Sequence, residues 1–159
     1  MLTEERVWDL LDEVVDPEIP VVSLVAMGII RKVIVEDGEV RVTMTPTFSG
    51  CPALEVMQID IREKLTAAGA ENVQVLQQLD PAWTSNWITP RARETLKGIG
   101  LAPPHLHGGE FVEVLIDPVT CPYCDSTATT LKNSFGPTPC RMIYYCDNCQ
   151  QPFEQFKPL

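Results

Sequence analysis

Four cysteines near the C-terminal end, Cys121, Cys124, Cys146 and Cys149, form two CxxC pairs separated by 21 residues. Each pair turns two sulfurs toward one point, and two pairs complete a tetrahedron of thiolates. That donor set predicts one bound metal ion, zinc first and iron as the alternative, since iron also accepts tetrahedral sulfur. A closed four-thiolate shell leaves no position for substrate water, so the role predicted is structural. Two disulfides would be the competing use of the same residues, and a reducing compartment disfavours them.

Two further thiols stand apart. Cys51 lies in Gly50-Cys51-Pro52, where a strand gives way to a helix. Backbone N–H groups and the helix dipole at such a junction lower a thiol's pKa and favour the thiolate. Two readings stand for it: a nucleophile or transient soft-metal contact, with Thr45 and Thr47 as supporting hydroxyls, or a small apolar residue packed under the helix. Cys140 reads first as a packed side chain, because unpaired cysteine is among the most buried residue types, with a spare metal ligand or a redox partner as the alternatives. Asp16 and Glu18 form a carboxylate pair or a helix-ending turn. His105 and His107 read as solvated loop histidines, an HxH metal pair being the alternative. Trp83 and Trp87, four apart, fit one helical face and core packing.

These residues need elements to hold them. Val7, Leu10, Leu11 and Val14 recur at helical spacing after Thr3, a suitable N-cap, and Asp16-Pro17 ends that helix. Ile29 to Val35 and Val40 to Met44 flank Asp37-Gly38, the signal for a tight hairpin. A second helix carries Leu54, Met57, Ile61 and Leu65 and stops at Gly69. A strand over Val73 to Leu79 and a helix over Pro90 to Lys97, capped by Thr89, complete the pattern. The order predicts an α+β fold, a small mixed sheet packed with helices, spanning residues 1–100. A linker follows at 101–116, then a four-cysteine zinc ribbon of β strands at 117–159. A tail that small cannot bury enough apolar surface alone and depends on its metal staple.

Composition narrows the partners. The chain has 159 residues and 22 acids against 12 bases, a net charge of −10 that repels phosphate backbones and anionic lipid. In the ribbon, Lys132, Arg141 and Lys157 are offset by Asp125, Asp147 and Glu154. Nucleic acid and membrane are therefore not expected as partners. The first residues carry neither a basic flank nor an apolar stretch of signal-peptide length, and no apolar run approaches a membrane span. The expectation is a soluble, cytoplasmic protein.

Asp16-Pro17-Glu18-Ile19-Pro20, Met27-Gly28-Ile29-Ile30, Thr45-Pro46-Thr47 through Cys51-Pro52, and Asp80-Pro81-Ala82-Trp83 together resemble the SufT-like metal–sulfur cluster assembly domain. With Ala102-Pro103-Pro104, the two CxxC pairs, Phe135-Gly136 and the closing Pro152-Phe153-Glu154-Gln155-Phe156-Lys157, the chain resembles the PaaD family, the D proteins of phenylacetyl-CoA epoxidase systems, over nearly its full length. The resemblance implies an accessory, non-catalytic part in aerobic phenylacetate catabolism. It also implies help with iron–sulfur or iron-centre assembly in an epoxidase whose oxygenase holds di-iron and whose reductase holds flavin and a [2Fe–2S] cluster. Carried onto this chain, Cys51 becomes the candidate thiolate for iron or a transient iron–sulfur cluster, with Asp16 and Glu18 in the neighbouring signature. The alternative is a structural, docking subunit that carries no cluster. Partners are then the oxygenase or reductase components. A homodimer would place two Cys51 thiolates together, though no residue pattern requires one. Relatives commonly carry an acid and Leu before the Gly-Ile pair, where this chain has Ala26 and Met27. They often end in a further cysteine, where it has Pro158 and Leu159.

Overall fold

The computed structural model describes residues 1–108 and 118–159. They group into two compact units, Met1–Trp83 and Thr84–Leu159.

The first unit opens with α1 (Glu4–Leu11), whose N-terminus is capped as expected: the Arg6 N–H donates to Thr3 Oγ1 at 3.2 Å. The helix buries Val7, Leu10 and Leu11 but ends well before the first proline, with Asp12 as its C-cap. Val14 is buried beyond the helix rather than on its face. A short hairpin comes next: β1 (Val15–Asp16) pairs antiparallel with β2 (Ile19–Ser23). Pro17 and Glu18 make its turn, and Asp16 Oδ1 accepts the Glu18 N–H at 2.8 Å, an Asx-type closure. The prolines therefore shape a strand pair instead of terminating a helix.

The hairpin of β3 (Ile30–Glu36) and β4 (Glu39–Met44) turns at Asp37 and Gly38, with φ of 48° and 82°. Two successive positive φ values are the requirement of the two-residue turn that matches strand twist. α2 (Leu54–Ala67) then crosses over to β5 (Asn72–Gln77), which pairs parallel with β4. The sheet order β3-β4-β5 is thus mixed, as the sequence suggests. Val40, Val42 and Met44 alternate inward along β4, and α2 contributes Met57, Ile61 and Leu65 to the buried set. Trp83 is 5% exposed, and its Nε1 donates to the Met27 carbonyl at 2.9 Å. No helix holds both tryptophans, since Trp87 ends a 3-10 turn (Ser85–Trp87) belonging to the second unit.

That unit continues with α3 (Pro90–Gly98), capped by Thr89 through the Ala92 N–H at 3.2 Å. β6 (Leu101–Ala102) runs parallel to β9 (Pro152–Phe156), which pairs antiparallel with β8 (Arg141–Cys146), itself paired with β7 (Thr129–Asn133). Sheet order is β6-β9-β8-β7. α3 and the first residues of the expected 101–116 linker therefore fold with the ribbon, and the division between units falls after Trp83, not near residue 100. Residues 109–116 of that linker, and Asp117 at the expected start of the ribbon, lie outside the described residues. Gly136 closes the β7–β8 connection; a Cβ there would sit 2.9 Å from the Arg141 carbonyl oxygen that its own N–H contacts. The ribbon's core is Ala102, Val119, Phe153 and the cysteines Cys121 and Cys146, with Tyr144 stacked on Phe153 at 5.7 Å. Among the described residues no helix is long and apolar enough to cross a membrane.

Trp83→Phe keeps an aromatic ring but leaves the buried Met27 carbonyl without its indole donor. An unsatisfied buried acceptor costs about 1–3 kcal/mol, so urea unfolding of the variant should show a loss of that size. A loss inside the error of the wild-type value would contradict the bond's role.

Candidate metal centre

The two CxxC pairs are built by the same local fold used twice. In the first, the Cys121 N–H donates to Ser126 O at 2.9 Å and the Asp125 N–H to Cys121 O at 3.0 Å. In the second, the Cys146 N–H donates to Gln151 O and the Gln150 N–H to Cys146 O, both at 2.9 Å. Asp125 and Gln150, each directly after the second cysteine of its pair, take φ of 60° and 59°. Asp adopts the left-handed region readily; Gln does so at a cost that the surrounding bonds must cover.

These turns bring all four sulfurs within 4.8 Å of one another. Cys121 Sγ lies 3.7 Å from Cys149 Sγ, and Cys124 Sγ lies 3.6 Å from Cys146 Sγ. Tetrahedral zinc–thiolate bonds of about 2.3 Å imply sulfur separations of about 3.8 Å. The donor set therefore fits the ion the spacing predicts. Cys121 and Cys146 are fully buried, Cys124 and Cys149 half-buried. As thiols the four are unequal. The Asn148 side-chain amide, 3.5 Å from Cys124 Sγ, and the Ser126 N–H lower the Cys124 pKa to about 6. Burial first, then the Cys146 sulfur, pushes Cys149 up to about 12, and burial raises Cys121. Loading an ion must displace protons from the raised pair, so uptake releases protons and acid opposes it. Asn148, Asp125 and Gln150 are the contributors that the CxxC spacing does not announce.

Around the centre the cations are engaged locally. Lys97 pairs with Asp125, and Arg141 with Glu154 at 2.9 Å. Lys132 lies over the Tyr145 ring and Lys157 over Phe135. Cys140 lies outside the sulfur group, half-buried rather than buried as expected, with its Sγ 3.1 Å from Thr138 Oγ1. His105 and His107 take separate partners, Pro118 O and Leu159 O.

In the first unit, α2 begins at Leu54 with Ala53 as cap, so Pro52 is not its first residue and Cys51 precedes it by a turn. The Cys51 N–H donates to Phe48 O at 3.1 Å, its carbonyl accepts the Leu54 N–H at 3.2 Å, and its side chain is half-buried. Thr45 is 1% exposed, and its hydroxyl lacks a hydrogen-bond partner among the described residues. Thr47 and Glu18 are half-buried, and Asp16 is buried. Among the described residues, Asp16, Glu18 and Cys51 do not form a three-ligand metal group; only the ribbon cysteines do. The signature segments are nevertheless tied together by single bonds: Thr45 N–H to Ile29 O at 2.8 Å, Gln78 N–H to Met44 O at 2.8 Å, and Trp83 Nε1 to Met27 O.

Comparison with known proteins follows this division. Residues 4–76 match the family described as iron-sulfur cluster assembly protein, and residues 113–157 match the PaaD zinc beta ribbon domain. A protein of Escherichia coli, named provisionally as the D subunit of 1,2-phenylacetyl-CoA epoxidase, is 45% identical over 96% of this chain and 91% of its own length. The chain belongs to the PaaD family. An Fe-S protein maturation auxiliary factor of Porphyromonas gingivalis is 37% identical over 57% of this chain and 87% of its own. A crystal structure of a Bacillus anthracis domain of unknown function, DUF59, covers 58% of this chain and 90% of its own at TM-score 0.55 and 25% identity. The chain thus joins a DUF59-like unit to a four-cysteine ribbon.

In metal-stripped protein at pH 7, limited iodoacetamide should label Cys124 before Cys149, because only the thiolate reacts. The Cys124 pKa is depressed, so the stability its thiolate gives the metal-free ribbon is present above the ordinary thiol range and disappears as pH falls through about 6. Peptide mapping checks the order; equal labelling of the two would contradict it.

Proposed function

We propose that this chain is an accessory, non-catalytic protein of a phenylacetyl-CoA epoxidase system that assists assembly of iron–sulfur or iron centres. Cys51 is its transient thiolate for the iron or cluster being delivered, and Cys121, Cys124, Cys146 and Cys149 hold a resident structural zinc. The observation that carries this reading is the pairing of the two halves in one chain. The half bearing Cys51 matches iron–sulfur assembly proteins, and the whole resembles a protein named for the epoxidase. Its site of action is cytoplasmic, where both thiol sites stay reduced.

The Cys51 environment supports a passing contact. One thiolate cannot satisfy a cluster that takes four protein ligands, so the remainder must come from a client or a second copy. Thr45 offers a buried hydroxyl with no partner among the described residues, and Asp16 a buried carboxylate in the adjoining signature. Bound zinc in the ribbon would have a closed shell and serve to hold the four turns together; the iron chemistry is assigned to the other unit.

The test is metal content of the client. Oxygenase and reductase components purified from cells carrying Cys51→Ala should contain several-fold less iron than those from wild-type cells, while Cys140→Ala leaves iron unchanged. Normal client iron in the Cys51→Ala cells, with normal assembly of the complex, would instead support a docking subunit.

A further inference from the structure

The three-stranded sheet of the first unit has two edges, and they are built differently. β3 carries Arg31, Lys32 and Glu36 at exposed positions, and its pairing to β4 is interrupted by a bulge between Ile30 and Lys32. Charges and bulges are the usual means by which a sheet edge is kept from accepting another strand. β5 has neither. From Asn72 to Leu79 the sequence contains no charged residue and no proline. The six residues of β5 match β4 one to one without a break, from Glu39 opposite Asn72 to Met44 opposite Gln77. Both ends are fastened: the Glu71 N–H donates to Gly38 O at 3.2 Å and the Gln78 N–H to Met44 O at 2.8 Å. β5 is therefore a fixed, unbulged edge whose outward N–H and C=O groups meet no further strand among the described residues.

Burial also stops short of this edge. On β4 the inward side chains Val40 and Val42 are 1% and 0% exposed, while their neighbours on β5, Val73 and Val75, are only half-buried. On the opposite face Leu76 is 48% exposed. A strand that closes the edge must alternate as β5 does and bring no unmatched charge to this apolar row. The chain's own β5 meets both conditions. Laid antiparallel about a two-fold axis at Gln74, two copies place Val73 of each opposite Val75 of the other. Glu71 then faces Gln77, so no like charges stand opposite one another although the chain carries −10 overall.

We propose that β5 is a self-association edge: two copies of this chain pair antiparallel through it and join their three-stranded sheets into one continuous sheet. The contact is isologous, the same surface serving on both copies. It uses neither Cys51 nor the ribbon cysteines, so it stands or falls independently of the function proposed above.

A pairing of this length is a small interface, below about 1,200 Å², so it is measured by sedimentation equilibrium of the full chain at high micromolar concentration. The wild type should show a monomer–dimer equilibrium. Gln74→Lys sets two like charges face to face at the axis and should weaken the dimer at least about tenfold. Gln74→Glu should do the same. An equimolar mixture of the two variants should dimerise again, which shows that both are folded and that their charges meet across the axis. Lys32→Glu, on the other edge of the sheet, should leave the dimer constant unchanged. A wild-type chain that stays monomeric would overturn the proposal and leave β5 as an edge for a strand of another protein. A dimer that survives both Gln74 substitutions would overturn it too, because its interface would lie elsewhere.

Discussion

Four sulfurs held within 4.8 Å of one another are a costly arrangement for an apolar ribbon core unless a cation sits among them. As thiolates they repel, and as thiols they offer only weak hydrogen bonds. Two of the four, Cys121 and Cys146, are also core residues, sharing that cluster with Ala102, Val119 and Phe153. That cluster by itself is a small apolar set in which to hold two cysteine turns and two left-handed residues. A single ion is the constraint that reconciles four sulfurs at one point, while Ile88, Leu96, Leu101 and Phe156 supply further buried surface to the second unit. Asp125 and Gln150 hold their φ values, and β6 to β9 their order, because the two CxxC turns are pinned to one point.

The first unit has no such dependence. Its core draws on α1, α2, both hairpins and Trp83, and no group of three metal-ligating side chains occurs among its described residues. The loop before β3 is linked to Thr45 by a backbone bond and to Trp83 by its indole N–H, so that separate signature stretches meet there. Cys51 itself is half-buried one turn before α2. In the proposed function the two units divide the labour of sulfur, four ribbon thiolates for a resident ion and Cys51 for a transient one.

Much of this was legible from local rules. Asp37-Gly38 dictates its hairpin, Thr3 and Thr89 cap the helices predicted for them, and the CxxC spacing brings together the four residues it names. The errors have a common cause. Asp16-Pro17 looks like a helix stop, yet Asp12 and Ser23 engage each other, and the prolines turn a short strand pair. β6 and β9 are short or irregular in their polarity; Gln155 is buried beside Phe156, so no alternation marks the strand. Their pairing is what draws α3 toward the ribbon and moves the division between units to Trp83. The left-handed Gln150 and the Asn148 bond to Cys124 arise from tertiary closure, which no spacing rule encodes.

The central claim is that the ribbon retains zinc while Cys51 handles iron. Elemental analysis with an ultraviolet–visible spectrum, on protein purified and reconstituted without oxygen, tests it most directly when wild type is set beside Cys51→Ala. The account predicts about one zinc per chain in both, with iron and sulfide absorption in the wild type alone. Iron that persists in the variant and replaces zinc would place the iron chemistry at the four ribbon cysteines and contradict the division.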